Sequence, residues 1–166
     1  ISPAYCRRIY KKYGDKTPEI VKENPYRLAE EVDGIGFIIA DRTASGLGIE
    51  KNAPARLCAG IVYALNRLSE NGHVCYPEPE LIKYSAKLLN VTEDSARAGL
   101  SSAIEKKCVI LESIIKSESA NFADMVYSYP LYFSEQELAK NLVRVAFAKR
   151  FNGYRLANVK LNQSAI

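Results

Sequence analysis

Two glycines separated by one isoleucine, Gly34-Ile35-Gly36, constrain this 166-residue chain more than any other short segment. Glycine tolerates backbone angles that a Cβ would forbid and allows another backbone to approach closely, so the segment predicts a sharp turn. Apolar residues at helical spacing precede it as far as Glu31 and follow it from Ile38 to Leu47. The pattern predicts two short helices joined by a hairpin, with Ile35 packed between them.

The residues before this turn predict further short helices and a similar unit upstream. Thr17-Pro18 and Asn24-Pro25 each place a capping side chain before a proline, as at helix starts. Upstream, four apolar or aromatic side chains recur at the spacing of one helix face, and Gly14 is expected to end that helix. This stripe consists of Cys6, Ile9, Tyr10 and Tyr13.

The hairpin also predicts a binding surface made of backbone. The first amides of the helix after the turn have no partner within the helix and lie at the positive end of its dipole, which suits a phosphate group. Contact of this kind does not read bases, so the expected binding is independent of sequence. The predicted hairpin site consists of Gly34, Ile35, Gly36, Phe37 and Ile38, with Arg42 one turn further on.

The net charge of +4 is unevenly distributed along the chain. Residues 1–52 carry nine Lys or Arg against eight Asp or Glu, residues 53–132 carry eight against nine, and residues 133–166 carry six against two. A local excess of cations lies on the first predicted helix, where we expect either phosphate contact or an ordinary solvated face. These cations are Arg7, Arg8, Lys11 and Lys12.

Three amphipathic helices and a two-stranded hairpin are predicted within residues 52–132. Thr92 is expected to cap the third helix. Segments 108–115 and 125–132 are rich in β-branched and aromatic residues and predict strands joined by the polar turn 116–124. The inward positions predicted for the helices are Leu57, Ile61, Ala64, Leu65, Leu68, Leu81, Ser85, Leu88, Ala96, Leu100, Ala103 and Ile104.

The predicted fold class is therefore mainly α, with tandem helix-hairpin-helix units, a small winged-helix-like α+β module and a C-terminal helix. Ser134 and Glu137 are expected to form a capping box that opens the last helix, with Leu138, Leu142 and Val145 inward. The predicted domains are 1–51 for the helix-hairpin-helix region, 52–132 for the winged-helix-like module, 133–150 for a linking helix and 151–166 for a linker. Because the chain begins at Ile1, we expect an excised piece of a longer protein.

Several function classes lack their sequence signals. The longest apolar run is too short to cross a bilayer and no signal peptide is present, so we expect a cytoplasmic chain with no membrane partner. The four cysteines stand 52, 17 and 33 residues apart, which is not the spacing of a zinc site. The chain contains no GxxxxGK[ST] segment. We therefore expect no enzymatic activity, no catalytic residue, no metal and no cofactor in this chain.

Residues 18–77, PEIVKENPYRLAEEVDGIGFIIADRTASGLGIEKNAPARLCAGIVYALNRLSENGHVCYP, resemble the helix-hairpin-helix region of the RecD-like DNA helicases that work without RecB and RecC. The likeness runs from Ile1 to about residue 145 and is strongest over residues 18–77. The segments ENPYRLAE, GIGF and ADR carry the likeness. The resemblance implies a parent chain whose superfamily 1 motor domains bind ATP and Mg²⁺ and unwind DNA in the 5′ to 3′ direction, in repair or recombination. It implies two partners for this chain: the backbone of a DNA single strand or junction, and the motor domains to which the linker 151–166 would lead.

One departure from the family pattern leaves two functions open. Hairpins of this type that bind DNA usually carry Lys or Arg after the second glycine, where this chain has Phe37, Ile38 and Ile39. Either Arg42 supplies the missing charge, or the three apolar residues pack against the preceding unit. The first case predicts a non-catalytic DNA-guiding module, and the second an intramolecular scaffold or protein-docking domain. The turn 116–124, with one lysine against Glu118 and Asp124, favours protein contact for the winged module.

Overall fold

A computed structural model describes residues 2–115 and 122–148 of the chain. Most of the predicted turn 116–124 and the whole predicted linker 151–166 lie outside these residues. The chain divides into two compact units, residues 1–133 and residues 134–166. The elements are α1 (Pro3–Tyr13), α2 (Thr17–Glu23), α3 (Arg27–Glu31), α4 (Phe37–Gly46), α5 (Pro54–Glu70), β1 (Cys75–Pro77), α6 (Glu78–Leu89), α7 (Glu93–Glu105), β2 (Val109–Ile115), β3 (Phe122–Ser128) and α8 (Tyr129–Phe147).

The predicted stop of α1 at Gly14 is correct, whereas both predicted N-caps need correction, since α3 begins at Arg27, two residues after Pro25. Gly14 ends α1 with φ +57°, in the left-handed region that glycine tolerates. Asn24 accepts a hydrogen bond from the amide of Tyr26 (3.1 Å) just before α3. The prediction that Thr17 is an N-cap is wrong, because Thr17 lies inside α2 and its hydroxyl donates to the Gly14 carbonyl (2.7 Å). The buried residues of this region include Ile9, Leu28, Val32, Ile35, Phe37, Ala40 and Ala44.

The apolar stripe predicted for α1 is narrower than expected. Ile9 is buried, whereas Cys6 is exposed and Tyr10 has 59% of its surface exposed. The Tyr10 hydroxyl donates to the Asp15 carboxylate (2.9 Å), so this ring satisfies its polar end near the surface. The helix is therefore anchored to the core mainly through Ile9, and much of its surface is left for other contacts.

Helices α5, α6 and α7 enclose the second core. Its buried residues include Ile61, Leu65, Leu81 and Leu100, all from the positions predicted to face inward. Helix α7 approaches α5 so closely that a Cβ at Gly99 would lie 3.0 Å from the carbonyl oxygen of Leu57. The predicted cap of α7 is present, since the Thr92 hydroxyl accepts from the amide of Ser95 (3.2 Å).

The described strands form one antiparallel sheet in the order β1-β3-β2. Strand β3 is central and pairs Val126 with Tyr76 of β1 and with Leu111 of β2. Strand β1 was not predicted, because three residues ending in a proline carry too little alternation to be recognised. The predicted strand 125–132 is wrong at both ends, since β3 runs from Phe122 to Ser128 and takes in the last three residues of the predicted turn 116–124. The predicted fold class, mainly α with a small winged-like module, is confirmed.

Helix α8 corrects the prediction for the C-terminal helix. It begins at Tyr129, five residues before the predicted capping box of Ser134 and Glu137. Pro130 suits this earlier start, since its fixed φ and missing amide are tolerated in the first turn of a helix. Leu138, Leu142 and Val145 were predicted to face inward and are instead 53%, 58% and 61% exposed. In the described ranges no helix combines the length and the apolar character needed to span a membrane.

Candidate nucleic-acid interface

The turn between α3 and α4 has the predicted hairpin geometry. Gly34 has φ +78°, a backbone conformation that costs an L-residue with a side chain about 1–2 kcal/mol. The Ile35 amide donates to the Val32 carbonyl (3.1 Å), which closes the turn. The Ile35 side chain is 3% exposed and packs into the same core as Ile9 and Val32. The hairpin is thus held by the buried side chain that separates its two glycines.

The start of α4 presents unpaired amides. Gly36 caps the helix with its carbonyl, which accepts from the amides of Ile39 (3.1 Å) and Ala40 (3.2 Å). Within the part of the chain that the structure describes, no acceptor is bonded to the amides of Gly36, Phe37 and Ile38. These three N–H groups lie at the positive end of the α4 dipole, where an anion is favoured.

The three apolar residues after Gly36 have different environments. The Phe37 side chain is 7% exposed and stacks between Tyr26 and Tyr63, with ring centroids 5.9 Å and 4.7 Å away. Ile39 is half-buried, whereas Ile38 remains 53% exposed. The expectation that all three pack against the preceding unit is therefore wrong. Phe37 packs against Tyr63 of α5, and Ile38, on another face of α4, stays exposed to solvent.

A cleft of about 540 Å³ brings several predicted site residues together. Helix α1 contributes cations that the sequence analysis selected, and the hairpin contributes Gly34. Helix α1 is held next to the hairpin by the buried Ile9, which packs in the same core as Val32 and Ile35. The cleft is lined by Arg8, Lys11, Lys12, Glu31, Val32, Asp33 and Gly34.

Arg8 makes the most specific contact in this cleft. Its Nη1 donates to the backbone carbonyl of Asp33 (3.3 Å). Its guanidinium carbon lies 5.9 Å from the centre of the Tyr5 ring, one turn earlier on α1. Arg8 Nη1 also occupies the space that a Cβ on Gly34 would need. The bond to Asp33 could not be predicted from the sequence, since its acceptor is a backbone carbonyl 25 residues further along the chain.

Two acidic side chains share the cleft with the three cations. Glu31 is paired with Arg27 at 2.7 Å, and this hydrogen bond holds the pKa of Glu31 below its ordinary value. Asp33 is exposed beside Gly34. Within residues 2–115 and 122–148, no group of three His, Cys, Asp or Glu side chains is placed to hold a metal ion. The cleft therefore keeps a modest positive balance rather than a strongly basic character.

Arg42 and Arg7 lie apart from this cleft. Arg42 lines a separate cleft of about 450 Å³ with Tyr5, Ile39 and other residues of α1 and α4. Arg7 is exposed, and it is not among the residues that line the cleft containing Arg8. The prediction that Arg42 supplies charge next to the hairpin amides has no support in this placement.

A third cleft of about 260 Å³, which local sequence patterns did not predict, lies beside the start of α4. Gly36 and Phe37 line it together with Arg67 of α5. A hydrogen bond with Tyr63 raises the pKa of Arg67 above its ordinary value. Glu30 and Glu70 also line this cleft, so its lining carries two acids against one cation. Because Arg67 lies about thirty positions beyond the hairpin in the chain, only tertiary packing brings it here.

A half-buried polar network ties the hairpin to the second core. Asp41 of α4 accepts from the Tyr26 hydroxyl (2.8 Å) and from Arg56 of α5 (2.8 and 3.1 Å). Arg56 also donates to the carbonyls of Lys51 (2.9 Å) and Leu89 (3.2 Å). Burial, followed by the bond to Asp41, raises the pKa of Tyr26. The hairpin is thereby bonded to both α5 and the end of α6.

These features define a helix-hairpin-helix module joined to a small winged-like module. Residues 1–75 match the protein family described as the ATP-dependent RecD2 DNA helicase HHH domain. Residues 1–75 are therefore similar to a helix-hairpin-helix region of the RecD-like helicase type, and the resemblance found in the sequence is confirmed.

One characterised relative supports this assignment. The ATP-dependent RecD2 DNA helicase of Deinococcus radiodurans is 31% identical over 101 residues, which cover 60% of this chain and 14% of that helicase. The matched part thus corresponds to a small share of the relative. Contact of the hairpin residues with DNA stays a prediction.

Proposed function

We propose that this chain is a non-catalytic DNA-binding and guiding module of a RecD-like 5′ to 3′ helicase. In this proposal it contacts backbone phosphates without sequence specificity and directs a single strand or duplex junction toward motor domains of the same protein. ATP and Mg²⁺ then belong to those motor domains, and the setting is DNA repair or recombination in the cytoplasm.

The observation that carries the proposal is the cleft between α1 and the hairpin. Arg8, Lys11 and Lys12 face Gly34 across it, and the module matches a helicase domain family over the same residues. Cations suit phosphate oxygens, and such contacts set position without reading bases. Since Glu31 and Asp33 partly offset the cations, we expect weak binding that is sensitive to salt.

Fluorescence anisotropy tests the proposal with labelled blunt duplex, 5′-tailed duplex and single strand, each at several salt concentrations. The variant K11A/K12A removes two cations from the cleft, and K83A/K87A removes two exposed lysines of α6 as a matched control. Each phosphate contact contributes about 0.9 to the slope of log affinity against log salt, so K11A/K12A should lower that slope by up to about 2. The control should match the wild-type protein. An absence of binding at low salt would refute the proposal.

A second candidate is an intramolecular scaffold or protein-docking module without DNA contact. It is favoured by the exposed Ile38, which takes a position where a cation would assist phosphate binding. Leu111 of β2 is also 40% exposed on the sheet, in agreement with protein contact by the winged module. The anisotropy experiment separates the two functions, since a scaffold would give no salt-dependent binding to any of the three DNA probes.

A further inference from the structure

We propose that Arg8 is a positioning residue for the hairpin, which holds the turn against α1 so that the amides at the start of α4 are correctly placed. The inference deepens the proposed function and rests on it for the DNA-binding measurement only. Arg8, which the sequence predicts as a phosphate contact, would then have a second role that depends on the planar shape of its guanidinium.

The first argument is the combination of contacts around the guanidinium. Arg8 Nη1 reaches the carbonyl of Asp33, 25 residues further along the chain, at 3.3 Å. The peptide that carries this carbonyl leads directly into Gly34, the residue with φ +78°. Tyr5 lies beside the guanidinium on the same helix and restricts its conformations. A bond at this point restrains the residue on which the geometry of the turn depends.

The second argument is that Gly34 has no side chain. Arg8 Nη1 fills the volume that a side chain at position 34 would occupy. Gly34 therefore allows both the left-handed backbone and the close approach of the Arg8 guanidinium. The buried Ile9, next to Arg8 in the chain, sets the depth of this approach by packing in the core that contains Val32 and Ile35.

The third argument is that the contact leaves the charge of Arg8 available. No carboxylate lies within 4.0 Å of Arg8 in the ranges that the structure covers. Its recorded hydrogen-bond acceptor is a neutral carbonyl, and an arginine has five N–H donors. A lysine could keep the charge but could not combine the planar contact over Tyr5 with a directed bond to Asp33.

The variant R8K separates position from charge. Hydrogen exchange of the Ile35 amide, which donates to Val32, reports on the closed turn, and anisotropy with duplex DNA reports on binding. R8K loses a long, exposed hydrogen bond, so we expect its Ile35 amide to exchange about twofold to fivefold faster and its DNA binding to weaken by a similar factor. The slope of affinity against salt should not change, since the number of charges is the same.

Two further variants serve as controls. R97K makes the same change at an arginine of α7 that is 59% exposed, and it should leave exchange and binding unchanged. K11A removes a charge from the same cleft, and it should lower the salt slope while leaving Ile35 exchange unchanged. Circular dichroism and thermal unfolding of each variant confirm that the fold is retained.

The outcomes are distinguishable. Wild-type exchange at Ile35 in R8K would overturn the positioning role, and so would faster exchange with wild-type DNA affinity. If the wild-type protein bound no DNA, the proposed function would fail, while the exchange comparison would still decide whether Arg8 holds the turn.

Discussion

Gly34 combines two requirements that are separable by mutation. Its positive φ is a property of its own backbone, whereas its contact with Arg8 involves a residue of another helix. The first requirement is visible in the motif Gly34-Ile35-Gly36. The second arises only because Ile9 holds α1 against the turn.

A double-mutant cycle with G34A and R8A measures the second requirement. G34A should reduce the free energy of unfolding by about 1–2 kcal/mol from backbone strain, plus the cost of displacing Arg8. In the R8A background the displacement cost is absent, so G34A should cost less there. Urea denaturation of the four proteins provides the comparison. Strictly additive effects would contradict a direct contact between Arg8 and position 34.

Tyr26 predicts a dependence of stability on alkaline pH. Because burial raises its pKa in the folded protein, its contribution to stability is complete below the ordinary tyrosine pKa of about 10 and is lost as the pH rises above it. Y26F should therefore show a shallower loss of stability than the wild-type protein above that pH. Near neutral pH the same variant should be less stable by about 1 kcal/mol, since the bond to Asp41 is missing. Thermal unfolding at increasing pH measures this loss. If the wild-type protein and Y26F lost stability equally steeply above about pH 10, the assignment to Tyr26 would be refuted.

At the scale of elements, Gly99 determines how closely α7 packs on α5. A Cβ there would lie 2.8 Å from the Leu57 Cβ and 3.0 Å from its backbone carbonyl. G99A should therefore destabilise the protein by about 1–3 kcal/mol, because the two helices must separate. G46A, at the end of α4, is the matched control with no neighbour within 4 Å of the added Cβ. Guanidinium denaturation measures the free energy of unfolding of both variants. Equal values for G99A and G46A would contradict the close approach of α7 to α5.

At the scale of the whole molecule, the bonds from Tyr26 and Arg56 to Asp41 join the hairpin helices to the second core. The Arg56 side chain is 12% exposed, so loss of its carboxylate partner leaves a poorly solvated cation. We expect D41N to cost about 2–3 kcal/mol and to let α3 and α4 open before α5. Hydrogen exchange measures both effects, with E105Q at an exposed acid as the control. If the amides of α3, α4 and α5 in D41N all exchanged with the same opening free energy, the bonds to Asp41 would not be what couples the hairpin helices to α5.

The local features of this chain could be predicted from its sequence, because they depend on residues within a few positions of one another. The Gly34-Ile35-Gly36 turn follows from backbone sterics, and the buried face of α5, with Leu57, Ile61 and Leu65, follows from helical periodicity. The Thr92 cap is equally local. The turn and the short helices on either side of it were enough to predict a helix-hairpin-helix module from the sequence.

Features that depend on how helices cross were decided by the tertiary structure. Arg8 lines a cleft with Gly34 and Arg42 lines a different one, although both were candidate phosphate contacts in the sequence. Phe37 is buried while Ile38 is exposed, because Tyr26 and Tyr63 lie on one side of α4 alone. Periodicity gives the faces of each helix but not which neighbour covers each face. That choice comes from packing between residues far apart in the chain, which local patterns do not encode.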